Sequence, residues 1–306
     1  MRVIEQSFSI PDLVVNFTPR VRLNESMARH TSWHVGGAAD IYFEPRDRQD
    51  LSAFLQALPK EMPLWWLGLG SNLLVRDGGL RGAVIITHGA LNDMERRTDI
   101  EVWCEAGVAC ARIARQCTRW GLRSAGFFAG IPGTLGGALA MNAGAFGGET
   151  WKYVNQVEVI DRNGSVRVRQ ANEYRVNYRH VQSPVANEGF LAAVLKFEIR
   201  EPSEFIEIPD LLSRRRKTQP IGQWSCGSVF TNPPGDHAAR LIEAAGLKGL
   251  RVGGASVSNK HANFIINEGA ATASDLEQLI QKVQANVEAR FNVRLNPEVR
   301  IVGEEA

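Results

Sequence analysis

The sequence predicts an α+β fold, because short strand patterns and helix patterns alternate along most of its 306 residues. Two glycine-rich stretches, residues 68–77 and 129–149, interrupt this alternation. The composition also changes near residue 202, beyond which the basic run Arg214–Lys217 follows. These three observations predict a larger domain of mixed sheets to about residue 202 and a smaller α+β domain after it.

Apolar spacing locates the elements of the larger domain. Apolar residues at i, i+3, i+4 and i+7 predict a helix over residues 48–58, and a second helix is expected at about 109–120 with Gly121 as its C-terminal cap. The turn sequence Asp161–Gly164 between two valine-rich runs predicts a hairpin. The predicted strands are Ile41–Phe43, Leu64–Leu67, Ala83–Ile86, Val102–Cys104, Val157–Ile160, Val166–Val168 and Phe190–Ile199.

The smaller domain shows two helix patterns and two strand patterns. Asp236 and Gly246 bound a predicted helix over residues 237–245. The tetrapeptide Ser274–Glu277 has the form of a capping box, which predicts the start of a long helix with one apolar stripe. The predicted strands are Phe264–Ile266 and Glu298–Val302.

The overall composition argues against several classes of protein. With 35 basic and 33 acidic residues the net charge is +2, so neither nucleic acid nor a membrane surface is expected as a partner. No apolar run is long enough to span a bilayer and the N-terminus lacks the pattern of a secretion signal, so a cytoplasmic protein is expected. The four cysteines form no C-x-x-C pair, so no metal site is expected, and Cys110 and Cys117 share one face of a predicted helix.

The glycine-rich stretches carry the first hypothesis about function. Residues 129–149 hold seven glycines in 21 positions, and residues 68–77 read GLGSNLLVRD. Glycine allows positive φ and a close approach of backbone N–H groups, which bind anions. A diphosphate of a nucleotide-type cofactor is therefore the first hypothesis, and a pair of tight turns is the alternative. Neither stretch is a Walker loop or a G-x-G-x-x-G fingerprint.

Three further segments carry side chains suited to chemistry. They contain Arg179 beside an aromatic residue, Ser228 in a short turn sequence, and Glu298 at the start of a predicted strand. Each also fits a structural role, as an exposed arginine, a turn serine or an acid at a strand edge. Ser228 does not lie in a nucleophile elbow, because the second glycine of G-x-S-x-G is missing.

Seven segments follow one another along the chain: TSWHVGGAADIYFEP, GLGSNLLVRD, AGIPGTLGGALAMNAGAFGGE, NYRH, CGSVFTNP, KHANFIIN and NPEVRIVGE. In this order, they are similar to the motifs of the UDP-N-acetylenolpyruvoylglucosamine reductase (UDP-N-acetylmuramate dehydrogenase) family, the flavoenzymes of bacterial peptidoglycan precursor synthesis. The resemblance covers nearly everything from about Asn24 to Gly303, and seven ordered matches are far more specific than any one of them.

The resemblance implies an FAD-binding fold of the vanillyl-alcohol-oxidase type with two α+β subdomains, followed by a smaller α+β substrate domain. The corresponding ranges are an N-terminal segment at 1–33, the FAD-binding domain at 34–202 and the substrate domain at 203–306. Family members bind FAD non-covalently, take hydride from NADPH and reduce the enolpyruvyl group of their UDP-sugar to give UDP-N-acetylmuramate. A small-molecule UDP-sugar is therefore the expected partner, and a monomer is expected.

Three catalytic residues follow from the resemblance. Arg179 and Glu298 match positions at the substrate carboxylate, where hydride transfer builds negative charge that donors stabilise. An ionised Glu298 would repel that charge, so Glu298 is expected to be protonated or to orient Arg179 or a neighbouring donor. Ser228 matches the proton donor to the carbon that becomes the new stereocentre. All three are expected to face the flavin ring.

The resemblance also carries over two sets of binding residues. The cofactor-binding set is Gly68, Gly70, Ser71, Asn72, Leu73, Ile131, Pro132, Gly133, Gly136, Gly137, Ala138, Asn142 and Gly144. The substrate-binding set is Tyr178, Arg214, Arg215, Asn232, His261 and Arg300. For Arg214 and Arg215 a solvated basic face is an equal alternative.

The chain departs from the family pattern in two respects. Thr218 and Thr231 stand where the family often has lysine, so the charge that holds phosphate would come from elsewhere, such as Lys217 or Lys260. The stretch 179–190 is too short for the tyrosine-bearing loop of the longer class, so the chain resembles the shorter class.

Two alternative functions remain open at this point. An oxidase of the same superfamily would reduce oxygen and often tethers FAD to a histidine, but neither glycine-rich stretch contains a histidine. A non-catalytic flavin- or nucleotide-binding module could have kept the fold, but it would not need Arg179, Ser228 and Glu298 together.

Overall fold

The computed structural model describes residues 10–198 and 207–306. Both helices and strands run through the described residues, and the α+β prediction is confirmed. The helices are α1 Ile10–Phe17, α2 Arg48–Ala57, α3 Cys110–Arg119, α4 Leu135–Met141, α5 Ile208–Thr218, α6 Ala238–Ala244 and α7 Ala273–Phe291. The strands are β1 Val21–Ser26, β2 Ala38–Phe43, β3 Leu64–Leu67, β4 Leu73–Val75, β5 Leu80–Ile86, β6 Met94–Arg96, β7 Glu101–Glu105, β8 Gly144–Ala145, β9 Gly148–Glu149, β10 Val154–Ile160, β11 Val166–Gln170, β12 Arg175–Asn177, β13 His180–Gln182, β14 Gly189–Lys196, β15 Arg251–Val252, β16 Ala255–Val257, β17 Ile265–Asn267 and β18 Arg300–Val302. Short 3-10 helices lie at Met27–Arg29, Arg123–Gly130, Thr150–Lys152 and Ala171–Glu173.

The chain forms two compact units, and each is built from separate segments. The first unit is Met1–Glu25, Asp40–Gly68 and Gly82–Ile208, and the second is Ser26–Ala39, Leu69–Arg81 and Pro209–Ala306. The segment 69–81 joins the second unit because its strand β4 pairs in parallel with β18. The predicted change of composition at 201–203 and the end of the predicted strand at Ile199 lie outside the described residues, so the linear domain ranges remain a prediction.

The first unit contains two large sheets and the two-stranded sheets β8-β9 and β12-β13. A four-stranded sheet has the order β1-β2-β5-β3, and Phe54 of α2 stacks on Phe43 of β2 with ring centroids 3.7 Å apart. A five-stranded sheet has the order β11-β10-β14-β7-β6. The predicted hairpin is confirmed as β10–β11, and Asp161 Oδ1 holds its turn by accepting from the backbone N–H of Asn163 at 2.8 Å.

Helix α3 buries the face that its spacing predicted. Cys110, Ile113 and Cys117 are fully buried, and Gly121 follows the helix at φ 83°, as the predicted C-terminal cap requires. Burial raises the pKa of the Cys117 thiol to about 12 and also raises that of Cys110. These thiols therefore stay protonated and act as small apolar groups.

The second glycine-rich stretch contains a helix that the sequence analysis did not predict. Its residues 135–141 form α4, although two of the seven are glycines. Glycine lowers helix propensity, but Leu135 and Leu139 are buried and compensate by packing against the core. Part of this stretch, which interrupts the pattern of predicted elements, is therefore helical.

The second unit packs α6 and α7 on the three-stranded sheet β15-β16-β17. The predicted apolar stripe of α7 is confirmed, since Leu276, Ile280 and Val287 are fully buried. The predicted capping box at Ser274–Glu277 is wrong, because the box lies two residues earlier and joins Thr272 to Asp275.

Tertiary contacts explain this shift of the cap. Asp77 accepts from the backbone N–H groups of Ala273 and Ser274 at 3.0 and 2.9 Å, so it satisfies two donors of the first helical turn. Glu277, which a box at Ser274 would have used, instead binds the guanidinium of Arg76 through both oxygens at 2.8 Å.

Among the described residues, no helix combines the length and apolar character needed to cross a bilayer. The same part of the chain holds no cluster of three or more histidine, cysteine or acidic side chains arranged to bind a metal ion.

The position of the cap is testable by paired substitutions. Thr272→Ala removes the hydroxyl that accepts from the Asp275 N–H, and it should lower the free energy of unfolding by about 1 kcal/mol. Ser274→Ala loses only an exposed contact with Gln278 and should change it by less than about 0.5 kcal/mol. Urea denaturation followed by circular dichroism measures both. A larger loss of unfolding free energy in Ser274→Ala than in Thr272→Ala would instead support the capping box predicted at Ser274–Glu277.

Candidate active site

Arg179 lies in the tight turn between β12 and β13. These strands pair antiparallel, and Asn177 opposite His180 closes a two-residue turn of Tyr178 and Arg179. Arg179 has φ 55°, a left-handed conformation that costs an L-residue roughly 1–2 kcal/mol. The surrounding contacts of the first unit therefore hold this arginine in a conformation that it would not adopt alone.

The guanidinium of Arg179 is oriented by backbone oxygens of the second glycine-rich stretch. Its Nη1 donates to the oxygen of Asn142 at 3.2 Å, and its Nη2 donates to the oxygen of Gly144 at 2.9 Å. Its Cζ also lies 5.2 Å from the centre of the half-exposed Tyr178 ring. The structure thus brings together four of the predicted site residues, Asn142, Gly144, Tyr178 and Arg179.

The two glycine-rich stretches meet within the first unit. A Cβ placed on Gly68 would lie 2.3 Å from Thr134 Oγ1, so only glycine permits this approach. Thr134 is 1% exposed, and its hydroxyl has no hydrogen-bond partner among the described residues. A buried hydroxyl without a hydrogen-bond partner lowers stability, which indicates that a polar ligand supplies the missing hydrogen bond. Thr134 is not among the residues predicted from the sequence, because only the fold brings it beside Gly68.

Space for a ligand lies beside Thr134 as well. Gly137 is exposed, and a Cβ placed on it would meet only Thr134 Oγ1, at 3.9 Å. Its neighbour Gly136 differs, because a Cβ there would press on Ala106 Cβ at 3.1 Å. An open glycine face beside a buried hydroxyl fits the diphosphate of a dinucleotide such as FAD. Ile131, Pro132 and Gly133 lie in the irregular segment before α4, and Ala138 lies in α4.

The remainder of the first glycine-rich stretch belongs to the second unit. Gly70 has φ 59°, and a Cβ on it would lie 2.0 Å from the backbone oxygen of His30. The Gly70 oxygen accepts from the Ser32 N–H at 3.2 Å, and the Ser32 hydroxyl has no partner within the described residues. Ser71 follows in the turn, and Leu73 begins β4. A second hydroxyl beside a predicted cofactor glycine thus fits the same kind of ligand.

Ser228 and Glu298 are joined through the backbone of the second unit. The oxygen of Val229, which follows Ser228, accepts from the N–H of Glu298 at 2.7 Å. Asn72 Nδ2 donates to the oxygen of Glu298 at 3.0 Å, and the Asn72 oxygen accepts from the Arg300 N–H at 3.1 Å. The structure therefore brings together the predicted residues Asn72, Ser228, Glu298 and Arg300.

Buried groups fix the serine segment. Asn263 is 4% exposed, and its side chain accepts from the Phe230 N–H at 3.0 Å and donates to the Phe230 oxygen at 2.8 Å. Burial raises the pKa of the Cys226 thiol, which therefore packs as a neutral group. Asn263 is a supporting residue that sequence analysis did not single out, because its role depends on contacts between residues 33 positions apart.

The predicted substrate-binding residues of the second unit lie on several elements. Arg214 is exposed on α5, while Arg215 donates from Nε to Gln219 Oε1 at 2.7 Å, and burial lowers its pKa. Asn232 Oδ1 accepts from the Ala238 N–H at 3.1 Å and so caps the N-terminus of α6. The sequence had predicted Asp236 at the start of this helix, so this prediction is wrong for the cap. Asp236 instead bonds to the N–H of the next residue and to the side chain of Arg240.

Two protein-family models match the chain. Residues 219–302 match the C-terminal domain of UDP-N-acetylenolpyruvoylglucosamine reductase, and residues 39–169 match an FAD binding domain. The chain is 60% identical over 281 residues to the UDP-N-acetylenolpyruvoylglucosamine reductase of Alkalilimnicola ehrlichii, covering 92% of this chain and 94% of the relative. The chain belongs to the UDP-N-acetylenolpyruvoylglucosamine reductase family.

Further relatives of this reductase family agree. The enzyme of that name from Methylococcus capsulatus is 56% identical over 282 residues, with 92% of each chain covered. The crystal structure of the Thermus caldophilus enzyme superposes with a TM-score of 0.76 at 32% identity, covering 92% of this chain and 98% of that one. The family resemblance and the FAD-binding fold of the vanillyl-alcohol-oxidase type are confirmed, and the chain is an FAD-binding oxidoreductase. The roles of individual site residues remain predictions.

Adjacent glycines of α4 provide a matched test of the cofactor site. Gly137→Ala projects a methyl group into the open space beside Thr134, so it should weaken FAD binding about tenfold or more while leaving the melting temperature of the apoprotein unchanged or raised. Gly136→Ala presses on Ala106 and should lower that melting temperature. Flavin absorbance and thermal melts of the apoproteins measure both effects. Wild-type FAD affinity in Gly137→Ala would show that this face does not border the cofactor.

The lowered pKa of His261 should make the stability of the protein depend on pH. Burial, and then the positive charge of Lys248, lower the pKa of its imidazole, so the folded state favours the neutral form. The stability gained by burying the neutral imidazole is fully present above the ordinary histidine pKa of about 6.5. It is lost as the pH falls from there through the lower pKa that His261 has in the folded state. His261→Gln should therefore lose less stability than the wild type between about pH 7.5 and pH 5. Melting temperatures at each pH measure the difference, and parallel curves would contradict the assignment.

Proposed function

We propose that this protein reduces the enolpyruvyl group of UDP-N-acetylenolpyruvoylglucosamine to give UDP-N-acetylmuramate, in the synthesis of peptidoglycan precursors. The observation that carries the proposal is the 60% identity, over 92% of the chain, to a reductase of that name. The residues of the cofactor-binding set given above, apart from Asn142, are proposed to hold FAD, which would supply the substrate double bond with hydride taken from NADPH. The residues of the substrate-binding set are proposed to hold the UDP-sugar.

Arg179 is proposed to bind the carboxylate of the enolpyruvyl group. Hydride addition to a double bond conjugated to a carboxylate builds negative charge on the carboxylate side. The guanidinium of Arg179 is oriented by the Asn142 and Gly144 oxygens, and a fixed guanidinium offers a bidentate fork that matches a carboxylate. Its fixed orientation lowers the cost of arranging donors during the reaction.

Ser228 is proposed to give a proton to the carbon that becomes the stereocentre. A neutral serine is a weak acid, but an enolate-like intermediate of the substrate is a strong base, so a positioned hydroxyl can serve. The backbone bond from the Glu298 N–H to the Val229 oxygen and the Asn263 clamp on Phe230 both fix the segment that carries this serine. Glu298 is proposed to act at the carboxylate in its protonated form, or to orient a neighbouring donor.

The location and assembly of the protein belong to the same proposal. Peptidoglycan precursors that carry UDP are built from cytoplasmic nucleotides, so a cytoplasmic location and a monomeric enzyme are proposed. A UDP-sugar is the small-molecule partner, and its diphosphate is assigned to the cationic residues at the end of α5.

The colour of the protein tests this function. The purified protein should be yellow, release FAD on denaturation, and bleach with NADPH in the absence of air. Addition of UDP-N-acetylenolpyruvoylglucosamine should restore the colour without oxygen. Colour restored by oxygen alone would favour an oxidase, and a protein that takes up no flavin on reconstitution would contradict the assignment.

The role of Ser228 is tested by separating the two half-reactions. Ser228→Ala should be reduced by NADPH at the wild-type rate, because that step needs no proton donor to the substrate. Reoxidation by the enolpyruvyl sugar should slow by about 10²-fold or more, since general acid catalysis contributes about that much. Stopped-flow absorbance measures each step. Equal slowing of both steps would instead indicate a structural role for Ser228.

A further inference from the structure

Asn142 joins three segments of the first unit through one buried side chain. It ends α4 in a left-handed conformation (φ 48°, ψ 52°) and is 2% exposed. Its Nδ2 donates to Glu149 Oε2 at 3.2 Å and to the backbone oxygen of Asn177 at 3.2 Å. Its Oδ1 accepts from the backbone N–H of Trp151 at 3.1 Å. The end of α4, the 3-10 helix after β9 and the end of β12 are therefore tied together.

These contacts use the hydrogen-bond donors of the Asn142 amide. An asparagine side chain has two N–H donors, and here both are directed at oxygens of the protein, on Glu149 and Asn177. The resemblance places Asn142 among the residues that bind FAD. With both donors engaged inside the first unit, the side chain is built to hold protein segments.

Asn142 reaches Arg179 by two routes. Its backbone oxygen accepts from Arg179 Nη1 at 3.2 Å, and its side chain binds Asn177, the residue that pairs with His180 to close the Arg179 turn. One residue thus fixes both the guanidinium and the base of the turn. Arg179 has φ 55°, and a non-glycine residue keeps such a conformation only where surrounding contacts determine it.

We propose that Asn142 is a positioning residue for Arg179. The proposal rests on the proposed function, because it is the action of Arg179 on the substrate carboxylate that this positioning serves. Without the Asn142 side chain, the turn loses its tie to α4 and the guanidinium shifts from the carboxylate. A displacement of about 1 Å can reduce a rate by up to 10²-fold.

The substitution Asn142→Gly tests this proposal. Glycine adopts φ 48° without strain and keeps the backbone oxygen, so only the side-chain contacts are lost. The holoenzyme variant should retain FAD and be reduced by NADPH at the wild-type rate, whereas its reoxidation by UDP-N-acetylenolpyruvoylglucosamine should slow by about 10- to 100-fold.

Asn292→Gly is the matched control. Asn292 ends α7 in the same left-handed conformation (φ 53°, ψ 33°), but its side chain is exposed. This variant should match the wild type in FAD content and in both half-reactions.

Two measurements distinguish positioning from a general structural effect. In the Arg179→Ala background, Asn142→Gly should cause no further loss of reoxidation rate, because it acts through Arg179. In the full-length holoenzyme, amide hydrogen exchange across residues 175–182 should become faster in Asn142→Gly and remain unchanged in Asn292→Gly.

Several results would overturn the inference. Loss of FAD in Asn142→Gly, equal slowing of both half-reactions, full additivity with Arg179→Ala, or unchanged hydrogen exchange would each do so. A wild-type reduced enzyme that the enolpyruvyl sugar does not reoxidise would overturn the proposed function, and with it the catalytic purpose of the positioning. The exchange experiment would still show whether Asn142 holds the turn, so the two failures are distinguishable.

Discussion

Backbone hydrogen bonds between residues 106–110 and 133–136 are the interaction on which the first unit's site depends. The N–H groups of Cys110, Leu135 and Gly136 donate to the oxygens of Gly133, Val108 and Ala106 at 2.9, 2.9 and 2.8 Å. A stretch with seven glycines in 21 residues has few side chains to pack, so main-chain bonds must fix it. The same bonds set the start of α4, and α4 delivers Asn142 to the Arg179 turn.

The second unit fixes its catalytic candidates by another route. Ser228 and Glu298 are far apart in sequence, but the Val229 oxygen accepts from the Glu298 N–H, and Asn72 bonds to the Glu298 oxygen. The parallel pair β4–β18 sets this register. The predicted cofactor residue Asn72 and the predicted catalytic residue Glu298 therefore share one backbone framework, and a shift of β18 would move both.

The sequence predicted most elements but not the contacts that refine them. Regular patterns such as helix 48–58 and the turn Asp161–Gly164 depend on neighbouring residues, and both were correct within one or two positions. The cap of α7 was predicted at the wrong residue because of contacts with residues about 200 positions away. Asp77 accepts from the N–H groups at the start of the helix, and Arg76 binds the Glu277 carboxylate. Helix α4 was missed because glycine lowers propensity while its stability comes from tertiary packing. The orphan hydroxyl of Thr134 depends on Gly68, and no local pattern encodes that approach.

Thr218 and Thr231 stand at positions where the family resemblance predicts lysine, and positive charge lies close to one of them. The Thr218 hydroxyl donates to the Arg214 oxygen of its own helix at 3.2 Å, and the Thr231 hydroxyl donates to the Asn296 oxygen at 3.3 Å, so both serve the backbone. The Lys260 ammonium donates to the Arg216 oxygen, and Lys217 lies in the same last turn of α5. The C-terminal end of a helix favours positive charge. Positive charge is therefore present at the end of α5 although Thr218 itself is uncharged. The proposed contacts with the substrate diphosphate need positive charge at this place.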